Sequence, residues 1–211
     1  MTLNIRKLKK TTNCAQYSSF SCRYTDGYQI RSHLKGEVED LCSFLSQRAR
    51  YSLVNGLGVT YIAYENGVIV GFFTITTAHI RFNDDNRNAT SIDKELLSKP
   101  YKTFPAVRIV QLAVQCEYQG GGESGTGARL LKAIEAISFH LSKNIGIRFL
   151  IVDALADSRT LKFYRRYGFH PHYDKRHDVI FQEIIDNRYD GKPLSSISMY
   201  LDTMKTKRGT D

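Results

Sequence analysis

The chain has 211 residues, 42% of them hydrophobic, which suffices for one sizeable core and favours one domain over 1–211 rather than two. Charged residues at 24%, aromatics at 11%, 15 glycines and 4 prolines exclude a disordered, collagen-like or coiled-coil chain. A count of 30 Lys and Arg against 21 Asp and Glu leaves a net charge of +9. Such an excess favours anionic partners such as nucleic acid, phosphorylated cofactors or a membrane surface, or serves solubility alone.

The basic N-terminus is not followed by an apolar segment of signal-peptide length. The longest apolar stretch, around Val68 to Ile75, is too short to cross a bilayer, so a soluble cytoplasmic protein without membrane contact is expected. Cys14, Cys22, Cys42 and Cys116 are scattered, with no Cys-x-x-Cys pair and no His at zinc-finger spacing. Reduced, mostly buried thiols are expected, without a metal site or a disulfide framework.

From Glu37 to Arg50, Val38, Leu41, Cys42, Leu45 and Ala49 recur every three or four residues, one face of an amphipathic helix that packs on a sheet. Tyr61–Tyr64 and Val68–Thr77 are β-rich runs joined by Glu65-Asn66-Gly67, a hairpin signal. Residues 81 to 103 are polar and read as a loop with one short helix near Lys94, ending at Pro100 and Pro105. Ala106–Val114 alternates as a strand, with Val107, Ile109, Gln111 and Ala113 on one side. A connection, Gln115–Gln119, and a glycine loop follow, then Leu130, Leu131, Ile134, Ile137 and Leu141 at helical spacing through about three turns. Phe149–Val152 reads as a strand, residues 157 to 167 as a second helix, and Ser196–Leu201 as a closing strand.

The segment Gln119-Gly120-Gly121-Gly122-Glu123-Ser124-Gly125-Thr126-Gly127-Ala128 lies between a strand and a helix N-terminus. Unpaired N–H groups and the helix dipole favour an anion there, and a pyrophosphate suits it. Glycine removes the Cβ atoms that would hold a phosphate away and permits the positive φ angles that aim N–H groups inward; the same composition also suits a merely flexible loop. A P-loop is excluded, because Thr126 follows Gly125 and no Lys is present. Gly120-x-Gly122-x-x-Gly125 satisfies the dinucleotide pattern, but five residues separate it from the strand, and Asp153 lies 28 residues beyond Gly125 where about 20 are usual.

Leu112-Ala113-Val114, Tyr118-Gln119-Gly120 and Gly125-x-Gly127-x-x-Leu130-Leu131, followed by Phe163-Tyr164-Arg165-Arg166-Tyr167-Gly168-Phe169, together resemble the two signatures of GNAT acetyltransferases, in the expected order. The motif core spans about 107–170 and leaves a basic tail at about 203–211. About three extra residues separate Gln119 from Gly125 relative to the family's usual loop. The resemblance implies a mixed α/β (α+β) fold, with a central, largely antiparallel sheet, a splayed strand pair and helices on both faces. It implies acetyl-CoA as donor and no metal. Leu112, Ala113 and Val114 would hold the pantetheine arm through their backbone, and residues 119 to 128 the pyrophosphate. Asp157, at a helix start near the coenzyme in the family, reads equally as an N-cap, as does Ser158.

In the family the Val114 N–H also steadies the thioester oxyanion, the fixed-dipole help that acyl transfer needs. Tyr164 matches the acid that protonates the departing thiolate; a phenol with an ordinary pKa of about 10 keeps its proton at neutral pH. On composition alone, a tyrosine beside Phe163, Tyr167 and Phe169 reads as core. No general base stands out, since His79, His140, His170, His172 and His177 read as surface or core residues. An α-amine, with a pKa near 7.7–8.0, needs less help losing its proton than a lysine amine near 10.4.

Leu57-Gly58-Val59-Thr60-Tyr61 and the two signatures are similar to the toxin branch of the family, which acetylates aminoacyl-tRNA and pairs with a ribbon-helix-helix antitoxin. Arg159, Lys162, Arg165 and Arg166 are then candidates for tRNA phosphates, against the reading of a solvated helix face. Acetylation of a protein or small-molecule amine is the enzymatic alternative, and a non-catalytic coenzyme A or dinucleotide module the alternative of another class. A homodimer is left open.

Overall fold

A computed structural model describes residues 3–24, 27–82, 102–172 and 175–204, with side chains for all of these but 175–178. In chain order the elements are β1 (Asn4–Lys7), α1 (Lys35–Gln47), α2 (Ala49–Val54), β2 (Val59–Glu65), β3 (Val68–Arg81), β4 (Thr103–Val114), α3 (Thr126–Ser142), β5 (Phe149–Leu155), α4 (Ser158–Arg166), β6 (His170–Pro171), α5 (Lys175–Ile185) and β7 (Ser196–Asp202). Among the described residues seven strands form one sheet in the order β1-β2-β3-β4-β5-β7-β6. The β1–β2, β2–β3, β5–β7 and β6–β7 pairings are antiparallel, and helices flank the sheet. Backbone contacts divide the chain into two bodies, residues 1–76 with 109–137 and residues 77–108 with 138–211.

In the first body, the β2–β3 hairpin turns on Asn66 (φ 51°) and Gly67 (φ 81°), successive left-handed residues that Asn-Gly adopts at little cost. Both strands exceed the runs that predict them: Val59 and Thr60 extend the ladder by pairing with Ile75 and Thr74, and β3 runs on to Arg81 beyond its pairing with β2. The helix predicted over Glu37–Arg50 is two helices, broken at Arg48 (φ −117°). Ala49 stays fully buried across the break, so apolar spacing gives no sign of it. Phe44, Leu45 and Ala49 pack with Ile62, Phe72 and Ala113. Phe72 meets Phe20 edge-on, centroids 5.2 Å apart, and stacks on Phe44 at 6.0 Å. Leu8, Cys14, Tyr17, Phe20 and Cys22 join this core from an N-terminal stretch without helical or strand periodicity.

Helix α3 has 17 residues, nearly five turns rather than three, with Leu130, Leu131 and Ile134 fully buried. Strand β3 approaches it at Gly71, where an added Cβ would lie 2.6 Å from the Ala113 carbonyl oxygen and 2.9 Å from Leu130 Cδ1. Gly71→Ala is therefore expected to destabilise the fold by about 1–3 kcal/mol through overpacking. Urea unfolding checks this, and an unchanged midpoint would contradict the packing.

In the second body, Ile80, Phe82, Phe104, Ala106, Phe149 and Tyr200 form the core. Strand β4 begins at Thr103, three residues before its predicted start, and Pro105 sits inside it rather than ending the loop. Pro105 needs no ladder donor, and its carbonyl accepts from the Arg148 N–H at 3.1 Å. Arg148 Nη2 also donates to the buried Asp202 Oδ2 at 2.9 Å, while Asp202 Oδ1 accepts from the Met204 N–H at 3.1 Å. Strand β5 runs three residues past its predicted end, to Leu155. The predicted Ser196–Leu201 strand forms as β7 with β6 beyond it, so it is not the sheet edge. The predicted helix near Lys94 lies outside the described residues, as does the basic tail from Lys205 onward.

His172 Nε2 lies 2.8 Å from the Arg81 carbonyl and donates to it, and its ring meets Phe82 edge-on at 5.1 Å. Burial lowers its pKa, and the Arg81 bond opposes that shift. A depressed imidazole binds its proton more readily in the unfolded chain. Its contribution is therefore complete above the ordinary value of about 6.5 and shrinks as pH falls below it. Urea midpoints at pH 7 and pH 5 should fall further apart in the parent than in His172→Gln; equal differences would contradict this.

Candidate active site

In the first body, β4 keeps pairing with β3 past its end, the Gln115 N–H donating to the Val70 carbonyl at 2.9 Å. One 3-10 turn, Cys116–Tyr118, then leads to Gln119. The Gln119 amide donates to the carbonyls of Val114 (3.2 Å) and Cys22 (2.8 Å), tying the end of β4 to the N-terminal segment.

Gly120 (φ 93°), Gly121 (φ 75°) and Gly122 (φ 55°) follow as three successive left-handed residues, and Gly122–Ser124 form a second 3-10 turn. The three extra residues thus build a compact turn closed by the Gly125 N–H on the Gly122 carbonyl at 3.2 Å. Gly125 (φ −64°) needs no unusual backbone; its constraint is steric, because a Cβ there would strike the Gly120 carbonyl. The first α3 bond runs from the Arg129 N–H to the Gly125 carbonyl at 3.1 Å. The N–H groups of Thr126, Gly127 and Ala128 therefore precede any acceptor within the helix. These donors, the helix dipole and the missing Cβ atoms at 120–122 fit a pyrophosphate. Glu123 and Ser124 are exposed, and Ser124 Oγ donates to the Gly121 carbonyl at 3.2 Å.

In the second body, Asp157 caps α4: its Oδ2 accepts from the Thr160 N–H (3.0 Å) and from Thr160 Oγ1 (2.7 Å). Ser158 is not the cap; its buried hydroxyl donates to the Ile185 carbonyl at 2.7 Å and fastens α4 to α5. Leu161 and Tyr164 continue that buried face, with Tyr164 5% exposed. The Tyr164 ring meets Phe163 and Phe169 edge-on at 5.1 and 5.3 Å. Gly168 (φ 81°) ends the helix, and the Phe169 N–H returns to the Tyr164 carbonyl at 3.1 Å. The Phe-Tyr-Arg-Arg-Tyr-Gly-Phe signature is therefore also a helix stop that sets Tyr164 among aromatics.

On the opposite face Lys162, Arg165 and Arg166 are exposed and Arg159 is half-buried. Arg165 Nη1 donates to Gln182 Oε1 at 2.9 Å, on the α5 helix that the sequence did not predict. His79, His140 and His170 are exposed, and the His177 side chain lies outside the described ones. Asp153, the acid a dinucleotide site would need, is paired with Arg108. Among the described residues no group of His, Cys, Asp and Glu has the arrangement of a metal site, and no helix is long and apolar enough to cross a membrane.

Residues 24–169 match the sequence profile of the acetyltransferase (GNAT) family. Solved structures share the fold. AtaT complexed with acetyl-methionyl-tRNAfMet superposes at a TM-score of 0.69 with 20% identity, over 100% of both chains. A KacT variant with a tyrosine-to-phenylalanine change gives 0.68 with 18% identity over 99% of both. AtaTR bound with acetyl-CoA gives 0.65 with 20% identity over 99% of this chain and 98% of that one. The profile covers more than two thirds of the residues and spans both the glycine-loop and the Tyr164 signatures: the chain belongs to the GNAT acetyltransferase family and is an acetyl-CoA-dependent N-acetyltransferase.

Proposed function

We propose that this protein acetylates the α-amine of aminoacyl-tRNA and thereby arrests translation, as a toxin of a toxin–antitoxin pair. The observation that carries this reading is the full-length fold likeness to AtaT, which was captured with an acetylated methionyl-tRNA. The exposed Lys162, Arg165 and Arg166, with Arg159 beside them, supply a cationic helix face of the kind that holds tRNA phosphates through salt-sensitive contacts. An α-amine acceptor also suits a chain without an evident general base, because such an amine is partly neutral at pH 7. Both substrates place the reaction in the cytoplasm.

Acetyl-CoA supplies the activated acetyl group. Residues 120–128 would bind its pyrophosphate through backbone donors at the start of α3, while the backbone of Leu112, Ala113 and Val114 would align the pantetheine arm. The Val114 N–H would steady the carbonyl oxygen as it gains charge. Tyr164 would give its phenolic proton to the departing sulfur. Asp157 would act by fixing the start of α4, and hence Tyr164. AtaT was also solved bound to the C-terminus of the antitoxin AtaR, which supports an antitoxin partner; its small ribbon-helix-helix form is proposed from the resemblance of the sequence to the toxin branch alone.

Acetylation removes the nucleophilic amine that peptide-bond formation requires. Adding this protein to a cell-free translation reaction should stop synthesis only when acetyl-CoA is present, and fresh charged tRNA added after the protein has been removed should restart it. Unimpeded synthesis with acetyl-CoA, or arrest that fresh charged tRNA does not relieve once the protein has been removed, would oppose the tRNA acceptor.

A further inference from the structure

The Cys22 and Cys42 sulfurs lie 2.8 Å apart, bridging the N-terminal segment and α1 inside the first body. The Cys22 N–H donates to Cys42 Sγ at 3.1 Å, so Cys22 meets the Cys42 sulfur with both its backbone donor and its own sulfur. Cys22 is buried, its sulfur 4.0 Å from the Val38 carbonyl, whereas Cys42 is half-buried. Val38 in turn lines a cavity of about 220 Å³ with Arg23, Tyr24, Tyr28 and Lys35. Cys14 and Cys116, by contrast, have no thiol partner.

The geometry points to Cys22 and Cys42 as an oxidation site, in which Cys42 is the attacking thiol and Cys22 the resolving one, with peroxide as the co-reactant. The contact with the Cys22 sulfur and the Cys22 backbone donor hold the Cys42 thiol below its ordinary range against the opposing effect of burial, with Arg23 adding to the lowering. The contact with Cys42 and burial push the Cys22 thiol up, so it keeps its proton. The Cys42 thiolate attacks one peroxide oxygen, forming an S–O bond as the O–O bond breaks and hydroxide leaves. Cys22 then attacks the Cys42 sulfur, forming the S–S bond, and its proton departs with the sulfenic oxygen as water. Two thiols are oxidised and one peroxide is reduced to two waters. The sulfurs need to approach by only about 0.8 Å to bond.

The Cys22 carbonyl accepts from Gln119, and the Ser21 carbonyl accepts from the Cys116 N–H at 2.7 Å. Oxidation therefore fastens to α1 the segment that supports the approach to the glycine loop.

Peroxide treatment of the reduced full-length chain, followed by alkylation and peptide mapping, tests the assignment. The expected product joins the Cys22 and Cys42 peptides, two hydrogens lighter, and forms before Cys14 or Cys116 reacts. It should also raise the melting temperature until a reductant is added. In Cys22→Ser, Cys42 should be trapped by dimedone as a sulfenic acid; in Cys42→Ser, Cys22 should stay reduced over the same interval. Oxidation of all four cysteines at one rate, or passage of Cys42 to the sulfinic acid with Cys22 still alkylatable, would overturn it.

Discussion

Tyr164→Phe is expected to lower acetyl transfer by about 10²–10⁴-fold, the range of a general acid, while leaving acetyl-CoA binding within a factor of a few. The change removes one oxygen and keeps the ring, its edge-on contacts with Phe163 and Phe169, and the Gly168 helix stop. A core tyrosine would show the reverse: melting temperature would fall and turnover per folded molecule would survive. Single-turnover rates and calorimetric binding on the same preparation separate the two. Unchanged turnover would remove Tyr164 from the chemistry and favour a coenzyme-binding module.

Gly125→Ala is expected to weaken acetyl-CoA binding by about ten- to hundredfold, with little loss of fold stability. The added methyl strikes the Gly120 carbonyl, so the loop must open where the first donors of α3 are aimed. Each charge-assisted hydrogen bond lost costs about 1.5–3 kcal/mol, and 1.4 kcal/mol is about tenfold in affinity. The turn is solvent-exposed and contributes nothing to the core around Phe72, so the unfolding midpoint should barely move. Gly36→Ala is the control, because a Cβ there meets nothing within 4 Å. Equal Kd values for both variants, by calorimetry, would contradict an anion site at this loop.

Local signals carried far in this chain. Asn66-Gly67 dictates a left-handed pair, and with it the register beside the turn, Glu65 opposite Val68 and Tyr64 opposite Ile69, up to the shift between Ala63 and Tyr64. The five glycines before Leu130 and Leu131, and Asp157 before Leu161, mark two helix starts that need no tertiary information. What stayed hidden depends on distant partners. The segment from Leu8 to Cys22 buries five residues without a period, because one ladder bond from the Leu8 N–H to the Thr60 carbonyl, a single 3-10 turn over Cys14–Tyr17 and the Gln115 and Gln119 side chains hold it, rather than a long helix or strand. The break at Arg48 preserves the buried face and therefore leaves the apolar pattern intact. Helix α5 buries Phe181, Ile184 and Ile185 within its last five residues, and Ser158, read as a cap, is spent on its last carbonyl. At the candidate site, the glycine turn and the Tyr164 helix were legible as motifs. That Gln119 serves the backbone of Val114 and Cys22 was not, since side-chain partners 97 residues apart leave no local trace.

The acceptor decides the biology, and one incubation addresses it: radiolabelled acetyl-CoA with charged total tRNA, and in parallel with uncharged tRNA and a lysine-rich protein. Label on charged tRNA alone, released with the amino acid on mild alkaline hydrolysis, is the expected result. Label on the lysine-rich protein with none on charged tRNA would contradict the proposed acceptor while leaving the acetyltransferase in place.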